Sequence, residues 1–381
     1  VMMNLGVEVY GVYFAMPWGC CDKAMATKAA KQLGIKFIVL QLDERYLEIV
    51  KKPKYGYGSA MNPCVDCRIH MFSRAAQYMN HIGADFVFTG EVLGDKTISA
   101  IEQMNNGDVV MLENLRSDIR EVANDDEFTK ELATLGDLYV NDAFSVSHRE
   151  HSSIVGIPKN LEGFTGFLFQ KEIKELSGAL DPTYPALCIL GGAKFSTKEP
   201  LIKKLLNIYD KVFVSGALAH DFFKSKGFNI GVSLSSDTDV DVKELAENEK
   251  IIIPTDVAVQ NKDGIFIKKP NEVLDDDNII DSGPETVEKL RELIKDFKFI
   301  LWNGPLGEYE KGFTKPTEDL AQILAESSAQ TLVGGGDTIA AIEHLGLNDK
   351  FSFISTGGGA MLNFLLDGTL VGIEALNGST R

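Results

Sequence analysis

Two lysines and one aspartate lie beside glycine-rich turns and could together bind phosphate groups. Lys194 and Lys198 are four residues apart in LCILGGAKFSTK (187–198), and Asp337 follows three glycines in VGGGDT (333–338). Further glycine turns occur in WNGPLGEYE (302–310) and ISTGGGA (354–360), and each turn follows an apolar run typical of a strand. Glycine lets backbone N–H groups approach a phosphate closely, and a following helix points its positive end there. The pattern therefore indicates nucleoside-polyphosphate chemistry.

Each of these charged residues also has a simpler interpretation. A helix that begins at the GGAK turn would present Lys194 and Lys198 on one face toward phosphates, but both could instead be solvated surface lysines. Asp337 could hold Mg²⁺ on nucleotide phosphates, or it could cap the N-terminus of a helix. The sequence leaves these alternatives open.

Composition and charge exclude several classes of protein. The chain has 381 residues with a net charge of −17, which disfavours nonspecific binding to nucleic acid or to an anionic membrane. Charge is uneven, since residues 1–96 carry 11 Lys+Arg against 9 Asp+Glu and the remainder is strongly acidic. No apolar run reaches the about 18 residues that a membrane span needs. Five cysteines and no secretion signal favour a reducing cytoplasm, and we expect a cytoplasmic monomer.

Apolar runs alternate with helical patterns along the whole chain, which predicts an α/β fold. Continuous apolar strands separated by helices are typical of parallel sheets covered on both faces, where ligands bind beyond the carboxyl ends of the strands. The charged segment 170–180 is predicted to be a connecting helix, and Asp275–Asp277 a solvated loop. The predicted strands are 7–14, 37–42, 84–89, 109–112, 138–140, 186–190, 211–214, 251–254, 299–302, 331–333 and 351–354.

From about residue 95 onward the chain resembles phosphoglycerate kinase. The motifs that carry the resemblance occur in the family's order: VVMLENLR (109–116), YVNDAFSVSHREHSS (139–153), GGAKFSTK (191–198), WNGPLGEYE, GGGDT (334–338) and STGGGA (355–360). The resemblance implies two Rossmann-like lobes with mainly parallel sheets. It also implies phosphoryl transfer from ATP to 3-phosphoglycerate with Mg²⁺, giving ADP and 1,3-bisphosphoglycerate.

The resemblance assigns roles residue by residue. Lys194 would meet the transferring phosphoryl group, with Gly336, Gly357, Gly358 and Gly359 offering N–H donors to the charge that develops. Asp337 would hold Mg²⁺ through the nucleotide. The nucleotide-binding set is Gly192, Ala193, Lys198, Gly216, Ala217, Asn303, Pro305, Glu310, Gly335, Gly336, Asp337 and Thr338.

The acid-substrate side matches the family only in part. Arg116 and Arg149 match arginines that grip 3-phosphoglycerate, and guanidinium suits bidentate contacts to phosphate and carboxylate. Either arginine could instead pair with Glu113 or Asp142. The family's early Asp-x-Asn strand, its catalytic arginine and its Ser-His-Leu-Gly-Arg-Pro turn are not found in residues 1–95. We therefore expect impaired turnover, with a nucleotide-binding pseudoenzyme as the alternative.

Residues 1–94 resemble a different family, the PP-loop ATP pyrophosphatases of the tRNA-thiolation type. The resemblance rests on KYGYGSAMNPCVDC (54–67) and on GADFVFTGEVLG (83–94), whereas the family's Ser-Gly-Gly-x-Asp-Ser loop is not found there. Cys64 and Cys67 could be a zinc half-site, a redox pair, sulfur-carrying thiols or small core residues. A tRNA sulfur-transfer protein is a third interpretation of the chain.

The two resemblances predict how the chain is divided. Residues 1–94 would form part of a hybrid N-terminal lobe, and residues 95–180 would supply the rest of the substrate lobe and the connecting helix. Residues 181–369 would form the nucleotide-binding lobe, and residues 370–381 a tail that returns to the N-terminal lobe.

Overall fold

The structure is a computed structural model with two compact units, Val1–Glu121 and Val122–Arg381. It describes residues 114–378 apart from 193–194 and 237–241. N-terminal to these it describes residues 10–15, 27, 30–32, 34, 36–41, 46, 49, 51–52, 74, 87–88, 98, 101 and 110–112. Cys64, Cys67, Ala193 and Lys194 lie outside the described residues.

The described residues of the N-terminal unit include two pairs of parallel strands. Strand β1 (Tyr10–Ala15) pairs with β2 (Lys36–Gln41), and Tyr10 lies opposite Lys36. Strand β3 (Val87–Phe88) pairs with β4 (Val110–Met111). Each of these four strands overlaps an apolar run that the sequence predicts as a strand. A 3-10 turn at Leu115–Ser117 leads into helix α1 (Ile119–Ala123).

The C-terminal unit alternates strands and helices. Its elements in chain order are α2 (Asp126–Ala133), β5 (Tyr139–Asn141), β6 (Gly163–Thr165), α3 (Phe167–Leu180), β7 (Ala186–Leu190), α4 (Phe195–Ile208), β8 (Lys211–Val214), α5 (Ala217–Ser225), α6 (Lys243–Ala246), β9 (Ile251–Ile252), β10 (Val257–Asn261), β11 (Gly264–Lys268), β12 (Asn278–Ser282), α7 (Pro284–Ile294), β13 (Phe299–Asn303), α8 (Lys315–Glu326), β14 (Gln330–Gly334), α9 (Gly336–His344), β15 (Phe353–Ile354), α10 (Gly359–Asp367) and α11 (Val371–Asn377).

Six parallel strands form the central sheet in the order β15-β14-β13-β7-β8-β9. Every residue of β7 and β13 is buried, which explains why the two segments are continuously apolar. Along β7, Cys188 joins one hydrophobic cluster with α4 and α10, whereas Leu187 and Ile189 join another with α7 and α8. Successive side chains of a strand point to opposite faces, so both faces of the sheet are covered by helices. The predicted α/β fold with mainly parallel strands is confirmed.

A second, antiparallel sheet was not predicted. Its strand order is β11-β10-β12, and the strands β10 and β11 are joined by the turn at Lys262–Asp263. Residues of β10 and β12, among them Val257, Val259 and Ile279, form a separate small core with Phe223 of α5. The strands of this sheet are short and partly polar, so the search for continuous apolar runs missed them.

The prediction of a solvated acidic loop is wrong for Asp277. This side chain is completely buried, whereas Asp275 and Asp276 are exposed. Asp277 accepts hydrogen bonds from Lys268 Nζ at 2.6 Å, Asn261 Nδ2 at 2.8 Å and the Leu274 N–H at 2.8 Å. Burial raises the pKa of Asp277, but these hydrogen bonds together outweigh burial and hold the pKa below its ordinary value. The carboxylate therefore fastens the β10–β11 hairpin to the segment that precedes β12.

The C-terminal helix α11 packs on the segment that follows β5. The Gly372 N–H donates to the Ser147 carbonyl at 2.9 Å, and a Cβ at Gly163 would lie only 2.7 Å from Leu376 Cδ2. The helix also contacts the π-helical turn Ser152–Gly156. Residues 371–377 thus lie against residues 147–163, while the domain boundaries predicted from the sequence stay predictions.

None of the described helices is long and apolar enough to cross a membrane alone. Helices α10 and α11 pass a test of length and composition only as a pair, with a bend of 65° between them.

Replacing Asp277 by alanine should lower the free energy of unfolding by about 2–4 kcal/mol, because Lys268 then stays partly buried without its partner. Urea denaturation at pH 7 measures this. The pKa of Asp277 is lower in the folded protein than in the unfolded chain. Its stabilising contribution is therefore fully present above the pKa of the unfolded chain, and it disappears as the pH falls through the pKa of the folded protein. The difference between the proteins should therefore shrink below about pH 4.

The matched control is Asp276→Ala, which removes an exposed carboxylate from the adjacent position. It should change stability by no more than about 0.5 kcal/mol. Equal effects of the two substitutions would contradict a structural role for Asp277.

Candidate nucleotide site

The candidate site lies where the strand order of the central sheet reverses. The chain runs outward from β7 through β8 to β9 on one side, and from β13 through β14 to β15 on the other. In an open parallel sheet the loops diverge at such a point and leave a crevice beyond the carboxyl ends of the strands. The four predicted glycine turns follow β7, β13, β14 and β15, and Gly216 follows β8, so all of them lie at this edge.

The two loops at the reversal touch through glycine backbone. The Gly191 N–H donates to the Asn303 carbonyl at 2.8 Å, and a Cβ at Gly191 would lie 2.0 Å from the Pro305 carbonyl oxygen. Gly304 has a φ of +98°, and a Cβ there would lie 2.6 Å from the Gly191 oxygen. No larger residue fits at either position, so these two glycines permit the contact between the loops.

A pocket of about 350 Å³ opens beside this contact. Six residues of the predicted nucleotide-binding set line it: Gly192, Gly216, Ala217, Pro305, Glu310 and Asp337. Its apolar wall comes from α5, β10 and β12 and from neighbouring loops, and includes Phe223, Leu234, Val257 and Ile279. A volume of this size suits a small ligand.

Lys198 lies next to the pocket on the first turn of α4. Its ammonium donates a hydrogen bond to the Gly191 carbonyl, and a Cβ at Gly192 would lie 2.7 Å from Lys198 Nζ. Burial lowers the pKa of Lys198 to about 8, and the nearby Cys188 raises it by less. Lys198 is therefore held against the glycine turn and is not a solvated lysine.

Asp337 occupies the first turn of α9. The N-cap of that helix is Gly335, with a φ of +97° and no side-chain cap. Asp337 is therefore not the cap, and its carboxylate makes no hydrogen bond within the part of the chain that the structure describes. Thr338 is buried and accepts a hydrogen bond from the Gly304 N–H at 3.0 Å, which ties α9 to the loop after β13. Asn303 is also buried, beside Gly335.

The carboxylate of Glu172 holds the last glycine turn. Glu172 lies on α3, is fully buried, and accepts hydrogen bonds from Ser355 Oγ at 2.7 Å, the Thr356 N–H at 2.6 Å and Thr356 Oγ1 at 2.8 Å. This link could not be predicted from the sequence, because the partners are more than 180 residues apart. Glu172 therefore couples the predicted connecting helix to the STGGGA turn.

The three glycines of that turn are not equivalent. The Gly357 N–H donates to Ser355 Oγ at 3.1 Å, and a Cβ at Gly357 would lie 2.9 Å from the Phe144 ring. Gly358 has a φ of +53° and is the N-cap of α10, and Gly359 is the first residue of that helix. The helix N-terminus therefore directs the N–H groups of Gly358 and Gly359 outward.

The segment that carries the candidate acid-substrate residues reaches the same turn. A Cβ at Gly359 would lie 3.7 Å from His148 Nε2, next to Arg149. The Arg149 side chain is exposed and has no ion pair among the described residues, so the alternative in which it pairs with Asp142 is wrong. Asp142 instead accepts a hydrogen bond from the Phe169 N–H at 2.9 Å. Arg116 is exposed and belongs to the N-terminal unit.

Sequence reasoning missed several polar residues that line the pocket, and three of these carry imidazole or carboxyl groups. They are His220 on α5, Asp281 on β12 and Glu308 in the loop after β13. Glu308 lies inside the WNGPLGEYE motif, but only the fold shows that its loop packs against Asp281. Among the described residues no group of three or more His, Cys, Asp or Glu side chains could hold a metal ion by itself.

The fold and the pocket define a doubly wound α/β protein with a ligand site at its topological switch point. The phosphoglycerate kinase family model matches residues 66–368, and the tRNA methyl transferase HUP domain model matches residues 11–111. The chain belongs to the phosphoglycerate kinase family. The resemblance of its N-terminal segment to a tRNA-modifying family is also confirmed, and the two matches overlap over residues 66–111.

Individual relatives agree with this assignment. The chain is 42% identical over 310 residues to a phosphoglycerate kinase of Staphylococcus epidermidis, covering 78% of each chain. It is 41% identical over 308 residues to that of Clostridium kluyveri, covering 77% of each.

Two solved structures match almost the whole chain. Phosphoglycerate kinase from Coxiella burnetii has a TM-score of 0.68 and 26% identity, covering 98% of this chain and 97% of that one. The enzyme from Pyrococcus horikoshii has a TM-score of 0.70 and 25% identity, covering 97% and 96%.

Replacing Glu172 by alanine should leave the buried Ser355 hydroxyl without its acceptor and lower the free energy of unfolding by about 1.5–3 kcal/mol. Hydrogen exchange at Thr356 and Gly357 should accelerate more than exchange in β7. Lys174→Ala on the exposed side of the same helix is the control and should leave both measurements unchanged. Unaltered exchange at the turn in Glu172→Ala would contradict the coupling.

Proposed function

We propose that the chain binds a magnesium nucleotide in this pocket and transfers the terminal phosphoryl group between ATP and the carboxylate of 3-phosphoglycerate. The observation that carries the proposal is the arrangement of Lys198 and the unpaired Asp337 around the pocket at the switch point. Phosphoryl transfer depends on positioning and on charge neutralisation rather than on covalent chemistry, and this arrangement supplies both.

The residues of the site suit the parts of a nucleotide. Lys198 would neutralise nucleotide phosphates, and Glu310 would accept hydrogen bonds from the ribose. Asp337 fits a magnesium ion that is bound mainly by phosphates, since such an ion commonly takes only one or two protein carboxylates. When bound, the ion would neutralise phosphate charge. Lys194 would meet the transferring phosphoryl group.

The glycine turn would stabilise the charge that develops during transfer. Gly358 and Gly359 lie at the N-terminus of α10, where N–H groups and the helix dipole favour negative charge. Gly336 would act in the same way at the start of α9. His148 lies beside the turn and Arg149 follows His148 in the chain, which supports placing the acid substrate there.

Lys198→Ala should weaken the binding of Mg·ADP by about 1.5–3 kcal/mol, the usual contribution of a hydrogen bond to a charged group. Isothermal titration calorimetry measures this, with Lys203→Ala on the exposed side of the same helix as the control. A lysine side chain is charged below its pKa, so the affinity of the wild-type protein for Mg·ADP should fall as the pH rises past the Lys198 pKa of about 8. The Lys198→Ala protein should lack this decrease.

If well-folded protein bound no nucleotide, the proposed function would be wrong. If Lys198→Ala bound Mg·ADP as tightly as the wild type, the proposed nucleotide site would be supported but Lys198 would not contribute to binding.

We further propose that turnover is far below that of an ordinary kinase, because half of the acid-substrate site has no counterpart in residues 1–95. Lost alignment can raise a barrier by on the order of 7–11 kcal/mol, and a missing arginine can reduce the rate by about 10³–10⁵. A coupled assay should therefore give a kcat well under the usual range of about 1–10³ per second.

A kcat within that range would contradict the proposal of impaired turnover while supporting the kinase activity. His70→Ala and Arg74→Ala would then be the first variants to make, since these residues are four apart in segment 67–82, which the sequence predicts to be a helix. Tight nucleotide binding without turnover would favour the pseudoenzyme. The HUP domain match favours tRNA as a second ligand, which a tRNA titration of the same protein would detect.

A further inference from the structure

The pocket has one polar wall that the roles proposed above do not use. His220 and Asp281 are only 5% and 4% exposed, and both line the pocket together with Glu308. The apolar residues Phe223, Leu234 and Ile279 lie on the same elements and loops. Since Lys198 and Asp337 account for the phosphates, this wall is left to contact the base of the nucleotide.

The hydrogen bond of His220 fixes its tautomer. Nδ1 lies 2.6 Å from the Leu234 carbonyl oxygen, which can only accept, so Nδ1 carries the proton. Burial lowers the pKa of His220, although the Leu234 hydrogen bond and the carboxyls of Asp221 and Glu308 raise it by less. The ring is therefore neutral at pH 7, and Nε2 is a hydrogen-bond acceptor.

The two carboxyls each have one oxygen that lacks a partner. Asp281 Oδ1 accepts from the Ser282 N–H at 2.8 Å and Glu308 Oε1 accepts from Lys311 Nζ at 2.8 Å. Asp281 Oδ2 and Glu308 Oε2 are shielded from water and have no hydrogen-bond partner among the described residues. A Cβ at Gly307 would lie 2.3 Å from Asp281 Cγ, so the carboxyl packs directly on the loop that carries Glu308.

Acceptors that are buried without donors destabilise the empty protein and favour a ligand that supplies N–H groups. Guanine offers three such hydrogens on one edge, from N1–H and the 2-amino group, and a carboxylate can accept two of them at once. Adenine offers only its 6-amino group and presents the acceptor N1 beside it.

We infer that His220, Asp281 and Glu308 select the base of the nucleotide, and that the pocket prefers a guanine nucleotide to an adenine nucleotide. This inference rests on the proposed nucleotide site and replaces ATP by GTP as the preferred nucleotide of that site. It assigns to Asp281 and Glu308 the acceptance of the N1–H and 2-amino hydrogens, with His220 as a further acceptor on the same wall. Burial raises the pKa of Asp281 to about 8 in the empty pocket, so this carboxyl releases its proton to solvent when the N–H groups of guanine bind.

The test is calorimetric titration of the full chain with Mg·GDP, Mg·IDP and Mg·ADP at pH 7. Mg·GDP should bind at least about tenfold more tightly than Mg·ADP, because each unsatisfied buried acceptor costs about 1–3 kcal/mol. Mg·IDP retains N1–H but lacks the 2-amino group, so it should bind with intermediate affinity.

Glu308→Gln and Asp281→Asn replace one acceptor oxygen by a donor without changing the side-chain shape. Each should reduce the preference for GDP over ADP to less than about threefold. Asp349→Asn, an exposed carboxylate away from the pocket, is the matched control and should keep the wild-type preference. If Asp281→Asn fails to fold, Glu308→Gln decides, since its side chain is 28% exposed.

The inference would be overturned if Mg·ADP bound as tightly as Mg·GDP. It would also be overturned if Glu308→Gln kept the preference for GDP. Either result would leave the proposed nucleotide site intact. Failure to bind any of the three nucleotides would instead reject the proposed function together with the inference.

Discussion

The candidate site depends on the close approach of two loops at the point where the central sheet reverses its strand order. Gly191 and Gly304 let the backbones after β7 and β13 touch, with the Pro305 carbonyl against the Gly191 Cα. A methyl group at Gly191 would have to overlap backbone, which no side-chain rotation can relieve. Lys198 and Thr338 then use backbone groups of these same loops as partners. One steric constraint therefore positions the start of α4, the loop after β13 and the start of α9.

Buried carboxylates connect this region to the rest of the C-terminal unit. Glu172 joins α3 to the last glycine turn, and Asp277 joins the β10–β11 hairpin to the segment before β12. In each case the carboxylate accepts three hydrogen bonds, so its desolvation is largely offset. Asp281 differs, because one of its oxygens has no partner and burial raises its pKa to about 8. Among the described residues, Asp281 Oδ2 and Glu308 Oε2 at the pocket wall are the buried carboxyl oxygens without a partner, which points to a ligand as the missing donor.

The sequence predicted the parts of the fold that follow from short-range patterns. Strands β7 and β8 match their predicted bounds because a fully buried strand is continuously apolar. The glycine turns were also predicted from the sequence, because a positive φ or a close backbone contact requires glycine. Strands β10 to β12 were missed because their exposed positions interrupt the apolar pattern, and Asp277 was misjudged because its partners come from other segments. Glu172, His220 and Asp281 could not be recognised, since their roles arise only when distant segments meet.

The charge of the pocket shows how an acidic protein can accept a polyphosphate. Four carboxyl side chains, Asp281, Glu308, Glu310 and Asp337, line the pocket against one lysine, Lys311. A fully ionised pocket of this kind would repel phosphate at short range. Two features oppose the repulsion: Lys198 lies directly behind the glycine turn, and helix N-termini add positive potential. The Asp337 carboxylate would favour nucleotide binding only with a divalent cation between it and the phosphates. Local dipoles and a bridging cation, rather than the net charge of −17, therefore decide whether a nucleotide binds.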